Sequence, residues 1–216
     1  MTVDPAAVAA NVAAARRRIA AAGGRDVELL AVTKGFGPDA VVAAAAAGCR
    51  AIGENYAQEL LDKRGAVGAA GVDVHFIGRL QSNKVRLVAD VVTVWQSVDR
   101  PRLVDELARR APGARVLVQV DATDEPGKGG CPIDDVAALV SGAGAAGLRV
   151  EGLMAVGPTS GEPGPTRTAF RRVVALADEL GLRERSIGMT GDLEIAVEEG
   201  ATLVRLGTAL FGPRRS

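Results

Sequence analysis

Eight short apolar, β-branched runs recur along this 216-residue chain, each separated from the next by a helical pattern. The runs fall at 27–33, 51–53, 74–77, 91–95, 116–120, 152–156, 186–188 and 202–206. Helical spacing fills 38–47, 55–64, 82–89, 101–110, 134–146, 165–180 and 191–199. Strands that alternate with helices form a parallel sheet with crossover connections. Eight of them predict an α/β fold closed into a (β/α)8 TIM barrel rather than an open doubly wound sheet. An extra helix precedes the first strand. Asp4 and Pro5 start it, Val8, Val12, Ala15 and Ile19 form its apolar stripe, and Gly23-Gly24 ends it. Ser97 or Asp99 ahead of Pro101, and Thr190 ahead of Asp192, are expected as helix starts. No stretch is long enough to be a linker, and GPTSGEPGP at 157–165 reads as a loop, so residues 1–216 are expected to be a single domain.

Composition excludes several chemistries. Lys+Arg and Asp+Glu are 26 each, which leaves no global basic field for a nucleic acid or an anionic membrane. Arg16, Arg17 and Arg18 read as a solvated helix face. His75 is the single histidine and Cys49 and Cys131 the two cysteines, so a multi-histidine metal site and a CxxC motif are both ruled out. A disulfide between the two cysteines stays open. No apolar run is long enough to span a membrane, and the N-terminus lacks a secretory pattern, so a soluble cytoplasmic protein is expected.

In a barrel the reactive groups gather where strands end, at the C-terminal face. Strand one ends in Thr33-Lys34-Gly35 and strand two in Gly53-Glu54-Asn55. Only four of the 26 basic residues are lysines: Lys34, Lys63, Lys84 and Lys128. A lysine at a barrel mouth is partly desolvated, which lowers its pKa and frees the amine to attack a carbonyl. Lys34 is thus either a Schiff-base nucleophile or a rim lysine paired with a carboxylate such as Glu54. The last two strands lead into Gly188-Met189-Thr190-Gly191 and Arg205-Leu206-Gly207-Thr208. Backbone amides, hydroxyls and a guanidinium at that place suit a phosphate, although glycines there also simply make tight turns. Gly127-Lys128-Gly129 is not a P-loop. His75 reads as a hydrogen-bonded interior residue, Trp95 and Phe211 as core, and Cys131 as a loop residue with nothing beside it that signals reactivity. A reactive lysine with a phosphate site describes a phosphosugar bound by a Schiff-base aldolase, or pyridoxal 5′-phosphate.

The strings LLAVTKG, AIGENYAQEL, HFIGRLQSNK, GKGG, EGLMAVGP and SIGMTGDLEIAVEEGATLVRLGTALFG resemble, in this order, the pyridoxal phosphate homeostasis protein family. Some of its members are called proline synthetase co-transcribed homologues. The resemblance implies a barrel similar to the N-terminal domain of alanine racemase. It implies pyridoxal phosphate as cofactor, held by Lys34 as a Schiff base. Thr190, Gly207 and Thr208, beside Met189, would hold the phosphate. Arg205 would face the pyridine nitrogen, weakening the ring as an electron sink, and Asn55 would lie beside the ring. The chain departs from the family pattern at Thr190 and Gly191, where Ser and Asp are usual, and in the looser Gly35-Phe36-Gly37-Pro38. Thr190 keeps the hydroxyl.

A racemase of this fold would add a β-domain with a second acid/base group, and the sequence is expected to leave no room for one. The expected function is a cofactor carrier in vitamin B6 homeostasis. It would lack robust catalysis and have apo-forms of pyridoxal phosphate enzymes as partners, as a monomer or weak dimer. The alternatives are a pyridoxal phosphate enzyme with weak amino-acid racemase activity and, last, an aldolase. Lys84 and Lys128 are expected to be surface residues rather than second attachment points.

Overall fold

The computed structural model describes residues 3–123, 125 and 128–213. Its strands are β1 Glu28–Val32, β2 Ala51–Glu54, β3 Asp73–Phe76, β4 Val94–Val98, β5 Arg115–Asp121, β6 Cys131–Pro132, β7 Arg149–Met154, β8 Glu184–Ser186 and β9 Leu203–Leu206. All pairings among them are parallel. The order β4-β3-β2-β1-β9-β8-β7-β5 closes through β4–β5 into an eight-stranded barrel, with the two-residue β6 added outside on β5. The helices are α1 Pro5–Ala21, α2 Pro38–Ala46, α3 Ala57–Ala70, α4 Val85–Val88, α5 Pro101–Arg110, α6 Val136–Ala145, α7 Pro163–Glu179, α8 Leu193–Glu198 and α9 Thr208–Phe211.

Side chains alternate across each strand, so every strand feeds two cores. Ala31, Val74, Phe76, Trp95 and Val204 face the helices, in the main apolar cluster. Leu30, Ala51 and Leu203 pack as one small separate cluster, and Val94, Leu117 and Met154 as another. Trp95 is 1% exposed and meets Phe76 in a tilted pair at 5.9 Å, as expected of a core residue, whereas Phe211 is only half-buried and meets Phe36 at 5.2 Å at the edge of the core. Helix α1 buries Val8, Val12, Ala15 and Ile19, and the Asp4 side chain accepts from Ala6 N at 2.9 Å. Arg16 and Arg17 are exposed, whereas Arg18 pairs with Glu194 at 2.6 Å.

Several boundaries differ from expectation for identifiable reasons. Strand four begins three residues later than its apolar run, because the amides of Val91 and Val92 turn back to Val88 O. β7 and β8 begin earlier than their apolar runs, at Arg149 and Glu184. Charged residues tolerate strand starts at this rim because their heads reach water or pair, as Arg115 does with Glu151 at 2.7 Å. α3 continues six residues past its expected end through Gly65 and Gly68, where a Cβ would meet nothing within 4 Å. Neither Ser97 nor Thr190 is a helix cap. Ser97 Oγ donates to Gly78 O, and the residue before α8 is Asp192, whose carboxylate accepts from Met189 N. Both cysteines are free and buried, and burial pushes the Cys131 thiol up. Among the described residues no helix is long and apolar enough to cross a membrane, and no group of three metal-ligating side chains occurs.

Candidate functional site

At the C-terminal ends of β1, β9 and the loop after β8 lies a cavity of about 340 Å³. That size is within the usual range for small-molecule sites, roughly 300–1,000 Å³. Lys34, Met189, Thr190, Arg205, Gly207 and Thr208 all line it, with Val32, Phe36, Ile77 and Gly191. Residues far apart in sequence meet here because β9 pairs with β1, in a register that sets Leu30 opposite Arg205. Lys34 is half-buried, one residue beyond Thr33, which is 0% exposed. Thr208 Oγ1 donates to Thr190 Oγ1 at 3.2 Å, which brings two hydroxyls together at one end of the cavity. Gly188 makes the turn into this segment possible. Its φ is +93°, and a Cβ there would sit 2.4 Å from Ala196 Cβ.

Arg205 is 4% exposed. Its Nη1 donates to Ser186 O and to Ser186 Oγ (2.8 Å), and its Nη2 to Ala155 O at 2.8 Å. Burial pushes the guanidinium down to about 10, against the nearby Asp192 charge. It stays cationic at neutral pH. From Ser186 a chain of hydrogen bonds runs on through the barrel. Ser186 Oγ donates to Gln96 Oε1 at 2.7 Å, and Gln96 Nε2 meets His75 Nδ1 at 2.6 Å. With Gln96 Oε1 accepting, its amide nitrogen is the donor, so His75 Nδ1 must be unprotonated. Burial, then Arg115, lowers the imidazole to about 4. His75 is thus a neutral, hydrogen-bonded interior residue.

Asn55, the remaining expected residue, follows β2 and is not among the cavity-lining residues. Its Oδ1 is buried and has no hydrogen-bond partner among the described residues. Its backbone is approached closely by Gly78, where a Cβ would fall 2.2 Å from Asn55 O. Glu54 is not the partner of a rim lysine at position 34. It is paired with Lys63, which sequence reasoning passed over, at 2.7 Å. The signal was available, because Lys63 is one of four lysines in an arginine-rich chain and sits on the apolar face of α3 with Leu60 and Val67. Lys84 is exposed. Lys128 is half-buried, donating to Gly157 O and pairing with Glu125 at 3.1 Å, which corrects its reading as a simple surface lysine. Gly127 of the GKGG string lies outside the described residues.

Among the described residues the cavity therefore presents one lysine amine, one buried guanidinium and two hydroxyls, and no lining carboxylate. Such a set suits an anion that also carries a carbonyl.

Comparison with known proteins points the same way. The family described as alanine racemase, N-terminal domain, matches residues 3–215. A pyridoxal phosphate homeostasis protein of Pseudomonas aeruginosa is 42% identical over 215 residues, covering 95% of this chain and 94% of its own. A crystal structure described as an unknown protein from Bifidobacterium adolescentis superposes with a TM-score of 0.91 at 32% identity, covering 98% of both chains. PipY of Synechococcus elongatus, solved with PLP bound, has a TM-score of 0.79 at 30% identity, covering 92% of this chain and 100% of its own.

Proposed function

Because the chain belongs to the pyridoxal phosphate homeostasis protein family, on the alanine racemase N-terminal-domain fold, we propose that it binds pyridoxal 5′-phosphate through Lys34 and serves in vitamin B6 homeostasis. The carrying observation is the cavity itself, where Lys34 and Arg205 are the only charged lining residues among the described residues and stand with the Thr190 and Thr208 hydroxyls. The residues fit this cofactor. When bound, it supplies an aldehyde that a lysine amine can take as a Schiff base, a phosphate dianion and a pyridine nitrogen. Lys34 Nζ provides the amine. Thr190 and Thr208, with the Gly207 turn and Met189 beside them, bind the phosphate. Arg205 would face the ring nitrogen and keep a proton off it, because a guanidinium held by three acceptors has no proton to give up at neutral pH. Asn55, which follows β2 next to this mouth, would lie beside the ring.

The proposal is a carrier rather than a catalyst. Proton transfer at an amino-acid Cα on two faces needs two groups that exchange protons near neutral pH. The lining residues offer Lys34, and Arg205 is a poor base. The carrier acts on apo-forms of pyridoxal phosphate enzymes in the cytoplasm, as a monomer or weak dimer, with the whole chain as a single binding domain.

The test is the visible absorption spectrum with added pyridoxal phosphate, wild type beside Lys34→Ala. A Schiff-base band in the wild type alone is expected. A band unchanged in Lys34→Ala moves the attachment to another lysine and overturns the site. Rapid deuterium exchange at Cα of alanine or serine would replace the carrier reading with the weak racemase.

A further inference from the structure

Lys34 is flanked by two peptide groups, and α3 holds both. Lys63 Nζ donates to Thr33 O, the carbonyl that precedes Lys34, at 2.7 Å. Gly35 N, the amide that follows it, donates to Glu59 Oε2 at 2.7 Å. The two anchors are tied together, because Lys63 Nζ lies 3.8 Å from Glu59 Oε2 and 2.7 Å from Glu54 Oε1. The Lys63 side chain is 2% exposed and that of Glu54 0%. Thr33 adds a hydroxyl bond to Glu54.

Two features of this cluster call for an explanation. An ammonium is a compact charge, and here it donates to Thr33 O and Glu54 Oε1 with Glu59 Oε2 at 3.8 Å, a convergence of oxygens on one point that a planar guanidinium does not match. Lysine therefore appears where an arginine-rich chain would otherwise place Arg. Nor is a buried ion pair an efficient source of stability, because desolvation offsets much of the attraction. Its location is more telling. Thr33 directly follows β1 and Glu54 ends the neighbouring β2, both are buried, and the next residues are Lys34 and Asn55. The same strand ends are linked by Thr33 N donating to Gly53 O at 3.1 Å.

We propose that Lys63 and Glu59 are positioning residues for Lys34, clamping the peptide groups on both sides of it so that its amine leaves a fixed backbone toward the cavity. The inference rests on the cofactor reading above. A side chain on an immobile Cα searches fewer orientations, so less freedom is lost on attachment and the bound state is favoured.

Pyridoxal phosphate titrations followed at the Schiff-base band, with the pH midpoint of that band and a thermal melt, test this on four proteins: wild type, Glu59→Ala, Glu59→Gln and Lys63→Met. Lys63→Met strands Glu54 in the core, so Glu59→Ala, at a half-buried position, is the variant that keeps the fold. We expect Glu59→Ala to melt close to wild type, to bind about tenfold or more weakly and to shift the pH midpoint. Glu59→Gln, which keeps an acceptor for Gly35 N, should stay within about twofold of wild type. Wild-type affinity and midpoint in folded Glu59→Ala would overturn the clamp. So would equal losses in Glu59→Ala and Glu59→Gln, which would trace the effect to charge alone. A wild type with no band overturns the cofactor reading itself and leaves the clamp without a purpose, whereas a loss confined to the variants leaves that reading standing.

Discussion

Two polar networks reach the cavity from different strands, and they bury charge in opposite ways. On the β1–β2 side, Lys63 is matched by the Glu54 carboxylate, with Thr33 closing the cluster. On the β8–β9 side, Arg205 rests on two carbonyls and a hydroxyl, and the network continues through Ser186, Gln96 and His75 without a carboxylate in hydrogen-bond contact among the described residues. The first cation is compensated, so its field is largely cancelled locally and it acts on geometry. The second has only the Asp192 charge nearby and no carboxylate in hydrogen-bond contact among the described residues, so more of its charge remains available to whatever occupies the cavity it lines. A buried charge thus serves structure or ligand according to whether its partner is an ion or a dipole.

Breaking the compensated side should have the largest effect. Lys63→Met leaves Glu54 buried and unpaired and is expected to cost about 3–5 kcal/mol in urea unfolding. Adding Glu54→Leu should restore most of it. If the single variant lost well under 1 kcal/mol, the two sides would not differ as described.

The other side should respond to acid. Free imidazole titrates at 6.5, and His75 is lowered to about 4. Between these values the unfolded chain holds a proton that the folded one does not. Stability from this group is therefore complete above pH 6.5 and is lost as pH falls toward 4. At about 1.4 kcal/mol per pH unit this amounts to about 3–4 kcal/mol at most. Protonation would also turn His75 Nδ1 from acceptor to donor and break its bond from Gln96. Denaturant midpoints from pH 7 to 4 should show the fall, and His75→Gln should flatten it; an unchanged slope in His75→Gln would assign the fall elsewhere.

Ser186→Ala should have the smallest effect, about 1–3 kcal/mol, because it leaves neutral Gln96 Oε1 without its donor rather than stranding a charge. Pyridoxal phosphate affinity should fall with it, since Arg205 loses a hydroxyl acceptor. Isothermal titration at constant pH would check this. A loss of affinity larger than that of Glu59→Ala would make the dipolar side, not the clamp, the main determinant of the site.

Much of this arrangement was legible before any coordinates. Lys34 stands out because it follows an apolar run, and Thr190, Gly207 and Thr208 because hydroxyls and glycines follow the last two strands. Strand ends were less legible wherever charged residues open a strand, as at Arg149 and Glu184, because polarity imitates a loop when one end of the strand meets water. Lys63 was missed for a related reason. A lysine inside a helical pattern usually lies in solvent, and only the packing of α3 onto β1 and β2 puts it in the core.

Local spacing alone was enough to determine the alternation of strands and helices, the apolar stripe of α1 and the residue types gathered at the strand ends. These depend on periodicities of two and 3.6 residues, which neighbours in the chain enforce. The partners were decided by the closed barrel. Ser186 finds Gln96 across 90 positions, Arg205 finds Ala155 across 50 and Lys63 finds Thr33 across 30. No local pattern encodes such pairs, because they follow from the register and closure of the sheet, which only the chain packed as a whole selects.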